Sequence, residues 1–217
     1  MFSGFFNYDN PVWRFIGKFF DVMLLNILWV ICSIPIVTAG ASTTAVYYVT
    51  LKLVRDEEGS TVKAFFKSFK DNFKQATVIW LILLAAGAVI GFDLYFFLRV
   101  QNVQSTFRTI MLAIFIAFGV VWLGIVLFAF PLQARFYNPV KRTLFNAFFM
   151  SIRHFFQSIG MLAIDFGFLA LALFIAPVFQ SMLFLFGFPL FAFVNSYMLV
   201  GIFDRYMPKE EGDETEE

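Results

Sequence analysis

The sequence predicts an all-α protein: a polytopic membrane helical bundle of about six spans, five being possible, with two interfacial amphipathic helices and an internal parallel repeat. Three observations carry that prediction. Of 217 residues, 60% are hydrophobic and only 14% charged, against about 45–50% and about 25% in soluble domains. The apolar residues come in blocks long enough to cross a hydrocarbon core about 30 Å thick. Between the blocks lie two stretches in which phenylalanines and basic residues alternate with helical period. Residues 1–206 therefore read as a single transmembrane domain. Residues 207–217, ending in KEEGDETEE, read as a disordered acidic tail.

Asn10 is placed to cap a helix that Pro11 opens, because the missing proline N–H would be unpaired in the first turn anyway. Arg14, Lys18 and Asp21 follow along one stripe, so Asp21 can pair with Lys18. The first span covers about 19–37, with Asn26 and Ser33 on a face turned toward other helices. Its basic start and the Ala39-Gly40-Ala41 beyond it look like a signal peptide. The apolar run exceeds the about 7–15 residues of a cleavable signal, so it reads as an uncleaved span. Pro35 and Gly40 break the run, and Thr38 or Ser42 can cap the return segment. That segment, about 42–54, covers only about 20 Å at about 1.5 Å per residue. Either it runs past the membrane edge, or the Pro35–Ala41 turn lies inside the membrane. Irregular backbone at that depth must be buried in protein or line a polar cavity.

Arg55 to Gly59 is a polar turn, after which Ser60 opens an amphipathic helix over about 60–74. Val62, Phe65, Phe66, Phe69 and Phe73 share one face; Lys63, Lys67, Lys70 and Lys74 share the other. Such a helix lies along anionic headgroups with its rings sunk inward. Its lysines then face either lipid and water or a cytoplasmic partner. The next span, about 76–98, holds Gly87 and Gly91 at a spacing that lets helix backbones approach. A polar connection from Arg99 to Arg108 leads to a span over about 109–134, bent at Pro131. A second amphipathic helix, about 143–157, opens at Thr143. A span over about 158–176, a tight turn from Pro177 to Ser181, and a span over about 182–203, kinked at Pro189, complete the chain.

The two amphipathic helices look like copies. At an offset of 83, Ala64-Phe65-Phe66 falls on Ala147-Phe148-Phe149, Ser60 on Thr143, and Lys52 on Arg135. The lysine row is degraded in the second copy, where Asn146, Met150, Arg153 and Gln157 replace it. With six spans, one side holds every lysine and arginine except Arg99 and Arg108, and the positive-inside rule makes that side, with both termini, cytoplasmic. A five-span arrangement would move Arg14 and Lys18 to the other side.

No GxSxG, Walker-type loop, HExxH or paired acidic cluster occurs, so no enzyme is expected. One histidine and one cysteine argue against zinc, no cofactor is expected, and Cys32 reads as a packing residue. The net charge of +1 says little about partners; a bilayer with anionic headgroups is expected, and nucleic acid is not. Asp165 stands apart. A lone aspartate within a span costs roughly 2.5–3.5 kcal/mol on insertion scales, so it should face the bundle interior or a wet cavity. It serves either helix–helix hydrogen bonding or function. Asp165, Asn26, Thr38, Ser42 and Asn195 form the candidate intramembrane polar site; Lys63, Lys67, Lys70 and Lys74 form the candidate docking face.

The opening stretch, FNYDNPVWRFIGKFFD…LLNILWV…SIPIVTAGASTTAVYYVTLKLVRDEEG, resembles the YesL-like family of small bacterial integral membrane proteins. The resemblance is specific over about 5–75 and looser to about 206. It implies a Gram-positive plasma membrane protein, often encoded near carbohydrate-uptake and glycan-degradation genes, with no family catalytic residues. On that basis the expected role is an accessory or regulatory component of carbohydrate uptake, associating with ABC transporter subunits or as a homo-oligomer. The alternative is a small transporter or channel with its site near Asp165 and the Pro35–Thr44 break.

Overall fold

A computed structural model describes residues 11–57, 59–99, 104–174 and 177–207, and these form seven α-helices with no strand among the described residues. Helix α1 spans Pro11–Ser33, α2 Ala39–Val54, α3 Thr61–Arg99, α4 Ser105–Arg135, α5 Val140–Arg153, α6 Phe155–Phe174 and α7 Pro177–Phe203. The cap expected at Asn10 and the acidic tail beyond residue 207 lie outside the described residues. The turn expected from Pro177 to Ser181 is instead the first turn of α7.

Helix α2 sits at the centre. Its 16 residues reach about 24 Å, none is exposed, and α1, α3, α4 and α7 all pack on it. Small side chains make this possible: Gly40, Ala41, Ser42 and Ala45 are buried along one end. A Cβ on Gly40 would collide with Trp80 and come within 2.5 Å of the Ala76 carbonyl oxygen, so α2 and α3 touch backbone to backbone. Among the described residues, α1, α3, α4, α6 and α7 are long and apolar enough to cross a membrane; α2 is shorter, enclosed in protein, and returns the chain to the end at which α1 starts. Gly40→Ala is expected to push α2 off α3 at a cost of about 1–3 kcal/mol, the usual range for overpacking, seen as a lower unfolding midpoint in detergent.

Ion pairs define one end of the bundle. Arg14 and Lys18 both reach Asp56, at 2.9 and 2.7 Å, and Arg55 pairs with Asp204. The start of α1, the α2–α3 turn and the end of α7 therefore meet, with α1 and α3 running one way and α2 and α7 the other. Arg14 and Lys18 lie beside the α2–α3 turn because α2 returns the chain to the end at which α1 starts. The expected Lys18–Asp21 pair does not form. Asp56 takes Lys18, and Asp21 instead accepts the Thr61 hydroxyl at 2.6 Å. The Lys18 hydrogen bond, with the charges of Lys18 and Arg14, holds the Asp56 carboxyl below its ordinary value of 3.8. A depressed carboxylate contributes stability above its unfolded pKa and loses it as pH falls through the folded one. The clamp should thus weaken below about pH 4, by under about 1 kcal/mol because the pair is exposed. Comparing melts of wild type and Asp56→Asn across that range tests this: the two should converge at low pH.

The first amphipathic stretch is not a separate interfacial helix. Helix α3 runs unbroken for 39 residues, about 58 Å, and its first half packs on α2. Phe65 is fully buried and stacks with Phe69 at 6.2 Å. Ser68, Asn72 and Ala76 continue its buried stripe. Phe66 and Phe73 remain exposed. In the second copy the helix does break, at His154 (φ −107°, ψ 41°), separating α5 from α6. Burial also corrects the repeat. Thr61, Phe65, Ser68, Asn72, Ala76 and Ile79 match Thr143, Ala147, Met150, His154, Ser158 and Met161, an offset of 82 rather than 83. One residue is a turn of about 100°, so the matching phenylalanine strings face differently in the two copies.

Two further expectations change in detail. Of the Gly87/Gly91 pair only Gly87 is used, and against a ring: a Cβ there would lie 2.6 Å from Trp122, whose indole N–H donates to the Leu83 carbonyl at 2.9 Å. Helix α4 passes through Pro131 as one helix, its last turns buried from Leu127 to Gln133.

Candidate functional site

Of the predicted polar residues, two meet side chain to side chain. Asn195 of α7 donates to Asp165 Oδ2 of α6 at 2.9 Å. The second carboxylate oxygen and the Asn195 carbonyl oxygen are buried with no hydrogen-bond partner among the described residues. Asp165 faces a cavity of about 360 Å³, which Trp29, Thr43, Tyr47, Trp80 and Phe188 help to line. The walls are largely aromatic. Trp29 stacks on Phe188 at 5.2 Å and donates its indole N–H to Thr43 at 3.2 Å. Tyr47 packs edge-to-face with Phe188, the ring centroids 5.8 Å apart. Ala39, at the start of α2, also lines the cavity, which so joins the acid to the α1–α2 break.

The remaining predicted residues hold breaks closed. Helix α7 leaves helical geometry at Gly187 (φ 48°, ψ −142°), two residues before Pro189. An unbroken helix would pair the Leu185 carbonyl with the N–H of residue 189, which proline lacks, and the Phe184 carbonyl with the N–H of Phe188. Asn26 of α1 supplies both missing donors, its amide nitrogen reaching Phe184 O at 3.1 Å and Leu185 O at 3.0 Å. Thr38 was expected to cap the return segment. Its hydroxyl turns back instead, to the carbonyls of Cys32 at 2.6 Å and Pro35 at 2.8 Å, closing the end of α1. Ser42 donates to the Thr38 carbonyl at 3.2 Å. Asn26, Thr38 and Ser42 therefore satisfy backbone at depth, as an apolar surrounding demands.

The aromatic lining was missed by sequence reasoning, although one signal was present. Tyr47 lies in a run of small and β-branched residues, where a large ring with a polar end marks a boundary rather than a packing filler. Lys63, Lys67, Lys70 and Lys74 are all exposed along α3, and among the described residues none of them has an ion-pair partner. Among the described residues no cluster of three potential metal ligands occurs.

A bundle with five spanning-length apolar helices, a buried return helix and an acid-lined cavity defines a polytopic α-helical membrane protein. Residues 22–94, a third of the chain, match the family described as a protein of unknown function, DUF624. The match covers the second half of α1, all of α2 and most of α3, including the break, the Gly40 contact and the lysine row. No curated protein and no solved structure matches the chain.

Proposed function

We propose that the protein is a small transporter or channel of a bacterial plasma membrane, working without a cofactor and not as an enzyme, with its solute site at Asp165. The observation that supports this reading is the cavity joining a buried carboxylate to the α1–α2 break. Broken helices around an intramembrane acid are a recurrent layout of solute sites. Aromatic walls and one carboxylate suit a solute with a flat apolar face and a hydroxyl or cationic group. The ion-paired end carries both termini of the helical domain and faces the cytoplasm on this reading. Trp29 and Trp80 line the cavity, so their fluorescence reports occupancy. The full-length protein in proteoliposomes is titrated with monosaccharides, disaccharides and quaternary ammonium ions, with flux followed in parallel. A saturable change with at least one class, removed by Asp165→Asn, is expected. No saturable change and no flux with any of them would overturn the reading.

The exposed lysine row favours a second reading: a non-enzymatic accessory or regulatory component of carbohydrate uptake, docked on ABC transporter subunits or on another copy of itself. The YesL-like resemblance supports it, and its specific part overlaps the matched region. Affinity purification from native membranes in mild detergent tests this. Importer subunits should come down with wild type and be lost when Lys63, Lys67, Lys70 and Lys74 are changed to glutamine. Recovery of no transporter component removes its main support.

A further inference from the structure

A second cavity lies at the ion-paired end, remote from Asp165 and in the copy whose lysine row is degraded. It has a volume of about 480 Å³ and runs along α5 past Arg142 and Arg153. Its chemistry is divided. Arg142 and Arg153 are eleven residues apart, three turns of one helix, so they share a face about 16 Å apart at the backbone. Asn138 and Asn146 lie beside Arg142, and Leu132, Phe136, Phe149 and Met150 give the groove an apolar floor.

The charge here is unbalanced. Helix α5 carries Lys141, Arg142 and Arg153 and no acidic residue. Neither arginine of the groove has a carboxylate within ion-pair distance among the described residues; the nearby Asp204 is taken by Arg55. The Arg153 guanidinium is held in place, lying 5.4 Å over the Tyr206 ring. The Tyr206 hydroxyl is in turn hydrogen-bonded to His154 Nε2 at 2.9 Å. A guanidinium fixed by stacking keeps its N–H edge free for a planar or tetrahedral anion.

From this we infer that the α5 groove binds a phosphoryl group carrying an apolar substituent. Guanidinium and asparagine amide donors take the phosphate oxygens, and the apolar floor takes the substituent. Basic pockets beside helices at a membrane's cytoplasmic face recognise lipid headgroups in this way. A soluble organic phosphate offers the same chemistry, and the experiment separates the two. The inference does not depend on Asp165 or on either reading of the function.

The full-length protein in neutral detergent is titrated with phosphatidylglycerol, phosphatidylcholine and phenyl phosphate, with binding followed by native mass spectrometry. The variants are Arg142→Gln/Arg153→Gln and, as a control of equal charge loss at the opposite end of the bundle, Arg99→Gln/Arg108→Gln. Arg142 and Arg153 are exposed, and circular dichroism melts check the fold of each variant. Saturable binding of phosphatidylglycerol, weakened about tenfold or more by the groove pair and unchanged by the control pair, is the expected result. If phenyl phosphate displaces it, the natural ligand class is a soluble organic phosphate; if not, it is an anionic lipid. Equal weakening by the control pair, equal binding of phosphatidylcholine, or no difference between wild type and the groove variant would overturn the inference.

Discussion

Gly187→Ala should lower the stability of the detergent-solubilised protein by on the order of 3 kcal/mol. Two effects add. At φ 48° and ψ −142° an L-residue is strained, and positions of that kind cost of order 1–3 kcal/mol each. The new methyl would also run into the Asn26 carboxamide, whose Cγ lies 3.0 Å from the position that methyl would take. Displacing Asn26 strands the carbonyls of Phe184 and Leu185, to which it donates. Buried unsatisfied groups cost about 1–3 kcal/mol each in protein interiors, and interhelical hydrogen bonds in membranes average nearer 0.6 kcal/mol. Asn26→Ala should therefore be the milder change, near 1 kcal/mol. The pair should be less than additive, because removing the carboxamide also removes the clash. Unfolding in mixed micelles measures all three variants. Full additivity would show that the collision with Asn26 contributes nothing, leaving only backbone strain.

The break itself was half legible. Gly187 and Pro189 both stand in the sequence, and a kink at the proline follows from its missing N–H. The break falls on Gly187 because only glycine accepts that conformation readily; the proline sets which carbonyl is left over. What the sequence could not show is that the donor comes from Asn26, more than 150 residues earlier. The same limit explains α2. Hydropathy records that a helix avoids water and does not separate burial in lipid from burial in protein. Residues 42–54 therefore read as a short span, although their small side chains and Gly40 are the marks of a helix enclosed by others. The continuity of α3 was visible in principle, since no proline or glycine occurs between Thr61 and Ala86. It was obscured by the change at Ala76 from an amphipathic to a uniformly apolar pattern. The Asp165–Asn195 contact was anticipated because each polar group in an apolar span must seek another. The aromatic walls were not, because a phenylalanine lining a cavity and one facing lipid have the same sequence signal in a chain holding 34 of them.

Asp165 should separate stability from function. Its carboxylate has one oxygen bound by Asn195 at 2.9 Å and one buried without a partner, an arrangement that burdens the folded state. A structural acid would have both oxygens satisfied, as Asn26 has both carbonyls of its break satisfied. Asp165→Asn keeps the shape and an oxygen for the Asn195 donor while removing the charge. Asp165→Leu removes the charge and the bond, leaving only the loss of that Asn195 partner. Asn should therefore match or exceed wild type in unfolding midpoint, by up to about 2 kcal/mol, since a lone aspartate within a span costs roughly 2.5–3.5 kcal/mol on insertion scales. Leu should fall between the two. In both variants the solute response of the cavity tryptophans should be lost. That combination, a more stable protein with a silent cavity, is what a binding acid predicts, because its unsatisfied oxygen is kept for the ligand. If both variants instead unfold more readily than wild type by more than about 1.5 kcal/mol, beyond the average strength of an interhelical hydrogen bond, then Asp165 is a packing element between α6 and α7. The cavity would in that case need another residue to recognise its solute, and Thr43 of the same lining, already engaged by Trp29, would be the next to change.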